Sequence, residues 1–211
     1  SNWLGTDLDF NKVQNLFQPF DIKAIEYLKE AFISETNYIL AVGSMDNDVK
    51  QIDKLILAYS ESNLPKQNIK LIVLGEGKNK RDYLKLVENL NLSQKVVFKG
   101  IVQNPFPYYK NALFYVLSSK NEGLSNAIVE SLACATPVVA FDCFSGPREI
   151  ITNGHNGILV ENQNFEKLTE AMNQMISDNE LYQNLKKNAV GSIGKFSIDL
   201  IGKQWVEFIQ S

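Results

Sequence analysis

The chain has 211 residues, enough for one sizeable core and short for two. With 45% hydrophobic and 21% charged residues the composition is that of an ordinary globular domain, and a net charge of −3 without a long basic run argues against nucleic acid as the main partner. No apolar stretch approaches the roughly 18 residues that span a bilayer, and residues 1–10, SNWLGTDLDF, lack the basic-then-apolar pattern of a signal peptide.

Residues 1–35 show no clear strand and read as a linker with a helix over 21–32. From there short apolar runs alternate with longer amphipathic stretches. The runs, at 38–43, 69–75, 95–100, 113–119, 136–142 and 156–161, are mostly apolar at successive positions, as strands covered on both faces are. Helices are predicted between them at 50–62, 79–91, 105–111, 125–135, 146–152 and 164–190, the last broken near Asp178-Asn179. A terminal helix over about 197–210 carries Ile198, Ile201, Trp205, Phe208 and Ile209 on one stripe. Strands alternating with helices predict βαβ units, hence an α/β fold with a doubly wound parallel sheet of about six strands. Ligands of such sheets bind at the carboxyl ends of the strands, so the residues after each strand carry the functional expectation. No internal repeat or low-complexity segment interrupts the pattern. Cys134 and Cys143 both have apolar neighbours and read as buried free thiols, which with no secretion signal suits a reducing cytoplasm.

After the fourth run comes NEGLSNAIVESLACATPVV. Glu122 falls in the loop, Ser125 or Asn126 is placed to cap the next helix, and Glu130 falls in its second turn. The amides of Gly123, Leu124, Ser125 and Asn126 then stand at a helix N-terminus, where free N–H groups and the dipole favour a phosphate. A carboxylate one to two turns into such a helix can accept hydrogen bonds from ribose hydroxyls. A solvated Glu on a core helix is the bland alternative. The helical wheel speaks against it, because Asn126, Ala127, Ser131 and Cys134 surround Glu130 with a small, nearly uncharged face.

The block EGLSNAIVESLACATPVVAFDCFSGPREII resembles the signature of the retaining glycosyltransferases of the GT-B fold, the family with paired glutamates seven residues apart. The similarity extends through YILAVG, KQIDKLILAY, IKLIVLGEG, LNLSQKVVFKGIV and the closing helix. It implies the Rossmann-like, donor-binding C-terminal half of such an enzyme. Glu130 would hold the ribose, Glu122 would sit by the donor sugar, and the amides of residues 123–126 would cradle the diphosphate. Lys50, read as opening the helix after the first strand, would pair with the diphosphate; taken alone, a surface lysine explains it as well. Many relatives place an arginine directly after the glycine of that strand, where this chain has Ser44 after Gly43. One expected diphosphate cation is therefore missing or supplied elsewhere. Gly75, in a Gly-x-Gly turn, would lie near the nucleotide, and Ile101 and Val102 would meet the base; a plain turn and a buried strand end are the alternatives. Arg148 and Glu149 face the cleft in relatives, and a surface ion pair is their bland reading.

Asp7-Leu8-Asp9 and Asp46-Asn47-Asp48 spell short acidic pairs that could hold a hard cation, but Asp-Asn-Asp is also ordinary turn chemistry. His155, the only histidine, lies in an Asn-Gly-rich turn. Neither predicts a metal site, and the resemblance implies no resident cofactor, the nucleoside-diphosphate sugar being substrate. Residues 36–196 are expected to form the donor domain, and 197–211 to pack toward an N-terminal domain that holds a glycan or lipid-linked acceptor. With no initiator Met, the chain is expected to be a fragment that binds donor, a UDP-sugar by the family's habit, without transferring sugar alone. The family's acceptors leave room for peripheral association of the full-length protein with the inner face of the cell membrane. A nucleotide-sugar epimerase or a phosphorylase of similar architecture, and a non-catalytic nucleotide-binding module, are the alternatives.

Overall fold

The computed structural model describes residues 20–31 and 33–210, apart from the side chains of residues 208 and 210. Most of the leading linker, the Asp7-Leu8-Asp9 pair and Phe208 of the predicted stripe therefore lie outside the described residues. Helix α1 (Ile22–Leu28) begins where the Asp21 carboxylate accepts a 2.9 Å hydrogen bond from the Ala24 amide. Six parallel strands follow: β1 (Tyr38–Val42), β2 (Lys70–Leu74), β3 (Val96–Gly100), β4 (Tyr115–Leu117), β5 (Val138–Asp142) and β6 (Gly157–Glu161). They form one sheet in the order β3-β2-β1-β4-β5-β6. The connecting helices are α2 (Ile52–Glu61), α3 (Lys80–Asn89), α4 (Phe106–Asn111), α5 (Asn126–Ala133) and α6 (Pro147–Ile150), with α7 (Phe165–Ser177), α8 (Asn179–Ser192) and α9 (Ile198–Gln210) after β6.

The strands are apolar at successive positions because both faces are covered. Ile39 and Ala41 of β1 face a core shared with Leu55 of α2 and Leu168 and Met172 of α7. Tyr38 and Leu40 face the opposite core, with Tyr109 of α4 and Ile128 and Leu132 of α5. Full burial of each large apolar side chain contributes about 1.5–3 kcal/mol. Asp178 breaks the long helical pattern by capping α8, its side chain accepting from the Leu181 amide at 3.0 Å. The chain returns to its start through a bridge between Phe20 and Ser197, at the head of α9. On α9 Ile201 is buried, whereas Ile198 and Ile209 are exposed. Among the described residues no helix is long and apolar enough to cross a membrane.

The elements are trimmed at their ends relative to the predicted ranges, and two of these departures bear on the site. The run 113–119 keeps only Tyr115–Leu117 as strand, and helix α2 starts at Ile52 rather than at residue 50. The two departures have one cause. Beyond β4 the Ser118 hydroxyl donates to the Lys50 carbonyl at 2.8 Å and the Lys120 amide to the Val49 carbonyl at 2.8 Å. Those carbonyls are held by the β4 loop instead of starting a helix, and Gln51 turns the chain through the left-handed region at φ 49°.

The strand order reverses at β1 and β4. β2 and β3 lie to one side of β1, while β4, β5 and β6 lie to the other. The crossovers leave in opposite directions, opening a crevice at the carboxyl ends of β1 and β4.

Candidate functional site

The crevice brings together the loops after β1 and β4. Lys50 does not open α2, as the sequence suggests, but stands two residues before it, held by Ser118 and by the tight approach of its stem to Gly43. A Cβ on Gly43 would stand 2.8 Å from Lys50 Cγ, so only glycine leaves room for that stem. From there the Lys50 ammonium donates a 2.6 Å hydrogen bond to Glu122 Oε1, and both side chains are largely buried.

After Glu122 the chain runs into α5. Ser125 is the N-cap residue and is buried, but its side chain makes no capping bond, and Asn126 is the first helical residue. Among the described residues the backbone N–H groups of Gly123, Leu124, Ser125 and Asn126 form no hydrogen bond with another backbone or side-chain group. They are free donors at the positive end of the helix. The turn after β5 presses on this loop. Gly146, at φ +82°, lies so close that a Cβ there would stand 1.9 Å from the Gly123 carbonyl oxygen.

Glu130 lies one turn into α5 and is half-buried. Burial raises its carboxyl above the usual value, with the Tyr109 hydroxyl pulling the other way. Tyr109 of α4 and Tyr115 of β4 are fully buried beside it, their rings edge to face at 5.6 Å. Burial also pushes the Cys134 thiol up, to about 12. These neighbours confirm the covered face that the helical wheel predicts; the two tyrosines are what sequence reasoning misses there. Nothing in their positions separates them from ordinary core aromatics.

Gly43, Gly75, Ile101 and Val102 line one apolar cleft of about 180 Å³ with Val42, Leu74 and Pro105. Ile101 is 81% exposed at its mouth. Four of the residues singled out in the sequence thus meet across β1, β2 and β3, on the other side of Gly43 from the loop that Glu122 begins.

Ser44 does not face this cleft with a free hydroxyl. Its Oγ donates to Asp46 Oδ2 at 2.9 Å and accepts from the Asp46 amide at 3.1 Å. Asp46 Oδ1 accepts from the Lys78 amide at 3.2 Å, and Asp48 pairs with Lys120, so this acidic pair is spent on turn contacts. Among the described residues no group of three or more His, Cys, Asp or Glu gathers as a metal set. His155 sits in the turn after α6, in contact with Asn188. Arg148 pairs with Asp142 through two bonds of 2.8 and 2.6 Å rather than with its neighbour Glu149. Both cysteines are buried and free.

Residues 24–191 match the family model described as Glycosyl transferases group 1. Over 191 residues, 89% of the chain and 51% of the relative, the sequence is 34% identical to an N-acetylgalactosamine-N,N′-diacetylbacillosaminyl-diphospho-undecaprenol 4-alpha-N-acetylgalactosaminyltransferase of Campylobacter jejuni. It is 28% identical to a poly(ribitol-phosphate) alpha-N-acetylglucosaminyltransferase of Staphylococcus aureus, over 94% of the chain and 40% of the relative. The chain spans about half the length of the curated relatives it matches. The fold superposes on Anabaena HepE, solved with UDP, with a TM-score of 0.80 at 21% identity, covering 92% of the chain and 56% of HepE. It superposes on a variant of S. aureus TarM, solved with fondaparinux, alpha-GlcNAc-glycerol and UDP, with a TM-score of 0.77 at 26% identity, over 86% of the chain and 38% of TarM. The match to the family model covers most of the chain and contains Lys50, Glu122, Glu130 and the strands that carry them, so the chain belongs to the group 1 glycosyl transferases.

Proposed function

We propose that the chain binds a nucleoside-diphosphate sugar at the crevice between β1 and β4, and that the protein it belongs to transfers the sugar to an acceptor hydroxyl with retention at the anomeric carbon. The observation that carries this reading is the Lys50–Glu122 pair at the switch point, beside the free amides of residues 123–126. The hard step is breaking the bond between the anomeric carbon and the diphosphate oxygen. The Lys50 ammonium and the helix amides would take up the charge that grows on the departing diphosphate. Glu122 would face the sugar once the diphosphate draws Lys50 away. Glu130 would accept hydrogen bonds from the ribose hydroxyls, and the cleft of Gly43, Gly75, Ile101 and Val102 would receive the base. The acceptor oxygen would bond to the anomeric carbon on the face the diphosphate leaves, passing its proton to the departing phosphate oxygen, so no protein nucleophile is assigned.

UDP bound to HepE and to TarM supports uridine as the base. The diphospho-undecaprenol in the name of the C. jejuni relative supports a glycan or lipid-linked acceptor; use of that acceptor at the inner face of the cell membrane is part of the proposal. Relatives about twice as long support a second half that holds the acceptor across the crevice, with residues 36–196 as the donor half and α9 packing toward the other. Closure of two such walls supplies orientation and excludes water. The turn bond between Ser44 and Asp46, at the position where the family resemblance implies a cation, favours one second reading: a module that binds nucleotide without transfer. The test compares this chain with a longer chain joined to an acceptor-binding half, on one labelled UDP-sugar and acceptor. Transfer by the longer chain, lost in Lys50→Ala, supports the proposal. Binding without transfer by either supports the module.

A further inference from the structure

We propose that Tyr109 and Tyr115 are positioning residues for Glu130: the Tyr109 hydroxyl donates to the Glu130 carboxylate when a ribose is held, and Tyr115 braces Tyr109 from behind. The inference rests on the reading of Glu130 as the ribose acceptor. The observation behind it is a contrast among buried tyrosines. Tyr38 donates to the Tyr108 carbonyl at 2.7 Å and Tyr59 to the Ile69 carbonyl at 2.7 Å. Tyr109 and Tyr115 are equally buried, yet both hydroxyl oxygens lack a closed hydrogen bond.

A buried hydroxyl without a partner destabilises a fold, and phenylalanine would fill the same volume without that penalty. Two such hydroxyls on rings in edge contact therefore call for an acceptor, and acidic charge bears on both. The Tyr109 hydroxyl stands against the Glu130 carboxyl, and the charges of Glu130 and Glu122 both bear on Tyr115. The rings meet edge to face at 5.6 Å and 69°, so Tyr115 limits how far Tyr109 can turn. Thr136 fixes the other end, its hydroxyl donating to the Tyr109 carbonyl at 2.6 Å. A carboxylate has about four lone-pair sites. One taken from below by Tyr109 leaves the outer ones to two ribose hydroxyls, with the group held at a set angle.

The test titrates UDP, and the dideoxy nucleotide lacking both ribose hydroxyls, into the full chain and into Tyr109→Phe and Tyr115→Phe. These changes keep the ring volume, and melting curves report the fold. The expected result is a loss of about tenfold in UDP affinity for Tyr109→Phe, a smaller loss for Tyr115→Phe, and no loss for the dideoxy nucleotide in either. In a Glu130→Gln background the Tyr109→Phe loss should shrink. Equal losses on both nucleotides would mean that the tyrosines only pack, and unchanged UDP affinity in Tyr109→Phe would overturn the proposal as well. A parent protein that binds both nucleotides alike would overturn the ribose role of Glu130 itself, and the positioning role with it.

Discussion

Lys50 and Glu122 stand 72 residues apart in sequence and 2.6 Å apart in the fold, on the two loops that leave the sheet in opposite directions. The pair exists because Ser118 and Lys120 hold the backbone of residues 49–50 out of α2 and because Gly43 leaves space for the lysine stem. In the free fold each charge neutralises the other. A diphosphate carries more charge than one carboxylate and reaches the amides of residues 123–126 as well, so it should draw the ammonium away and leave Glu122 facing the sugar.

Lys50→Ala should therefore weaken UDP binding by about 1.5–3 kcal/mol, the range of a hydrogen bond to a charged group. Uridine, with no phosphate, should bind the variant and the parent alike. Calorimetric titration of both ligands measures the difference, and an equal loss on uridine would place Lys50 outside the diphosphate site.

Gly146→Ala should destabilise the fold by about 1–3 kcal/mol, because its φ of +82° is strained for alanine and its Cβ would meet the Gly123 carbonyl. The displaced loop should also bind UDP more weakly. Gly123→Ala is the control, since a Cβ there meets nothing within 4 Å, and its melting temperature should match the parent. A Gly146→Ala protein that melts and binds like the parent would contradict the account of this loop.

The pH dependence of Glu130 has a definite sign. Burial holds its folded-state carboxyl above the ordinary value, so the native state binds the proton more tightly than the unfolded chain does. Its stabilising contribution is full below the unfolded value and is lost as pH rises through the raised native one. Glu130→Gln removes that loss. The variant should melt like the parent in acid and a few degrees higher at neutral pH, while binding nucleotide more weakly. A melting difference that stays constant across this range would contradict the assignment.

Nucleotide binding should survive EDTA, because Lys50 and the helix amides meet the diphosphate charge and Asp46 and Asp48 are engaged by Ser44, the Lys78 amide and Lys120. Titrations with EDTA and with added Mn²⁺ check this. Binding that disappears with EDTA and returns with Mn²⁺ would assign the acidic pair a metal.

The sheet was legible because its strands are apolar on both faces, as in YILAV and KLIVL, and because helices of ordinary length separate them. Glu122 and Glu130 were legible through their spacing and the small residues around Glu130, and Asp178 through its capping chemistry. The start of α2 was not, since the bonds that pull Lys50 out of it come from Ser118 and Lys120, about seventy residues away. The sequence suggests a surface ion pair for Arg148 but not its partner, which the fold supplies as Asp142 at the end of β5. Tyr109 and Tyr115 look like core aromatics in any sequence window. Only the packing of α4 and β4 under α5 shows that their hydroxyls end beneath an acid.

The central claim, a nucleoside-diphosphate site at the β1–β4 crevice, is tested most directly by calorimetric titration of UDP and GDP into the chain and into Glu130→Ala. The account predicts a dissociation constant for UDP tighter than about 1 mM, roughly −4 kcal/mol, weakened by about 1–3 kcal/mol in the variant. Dissociation constants weaker than that for both nucleotides, or a folded Glu130→Ala protein that binds as the parent does, would contradict it.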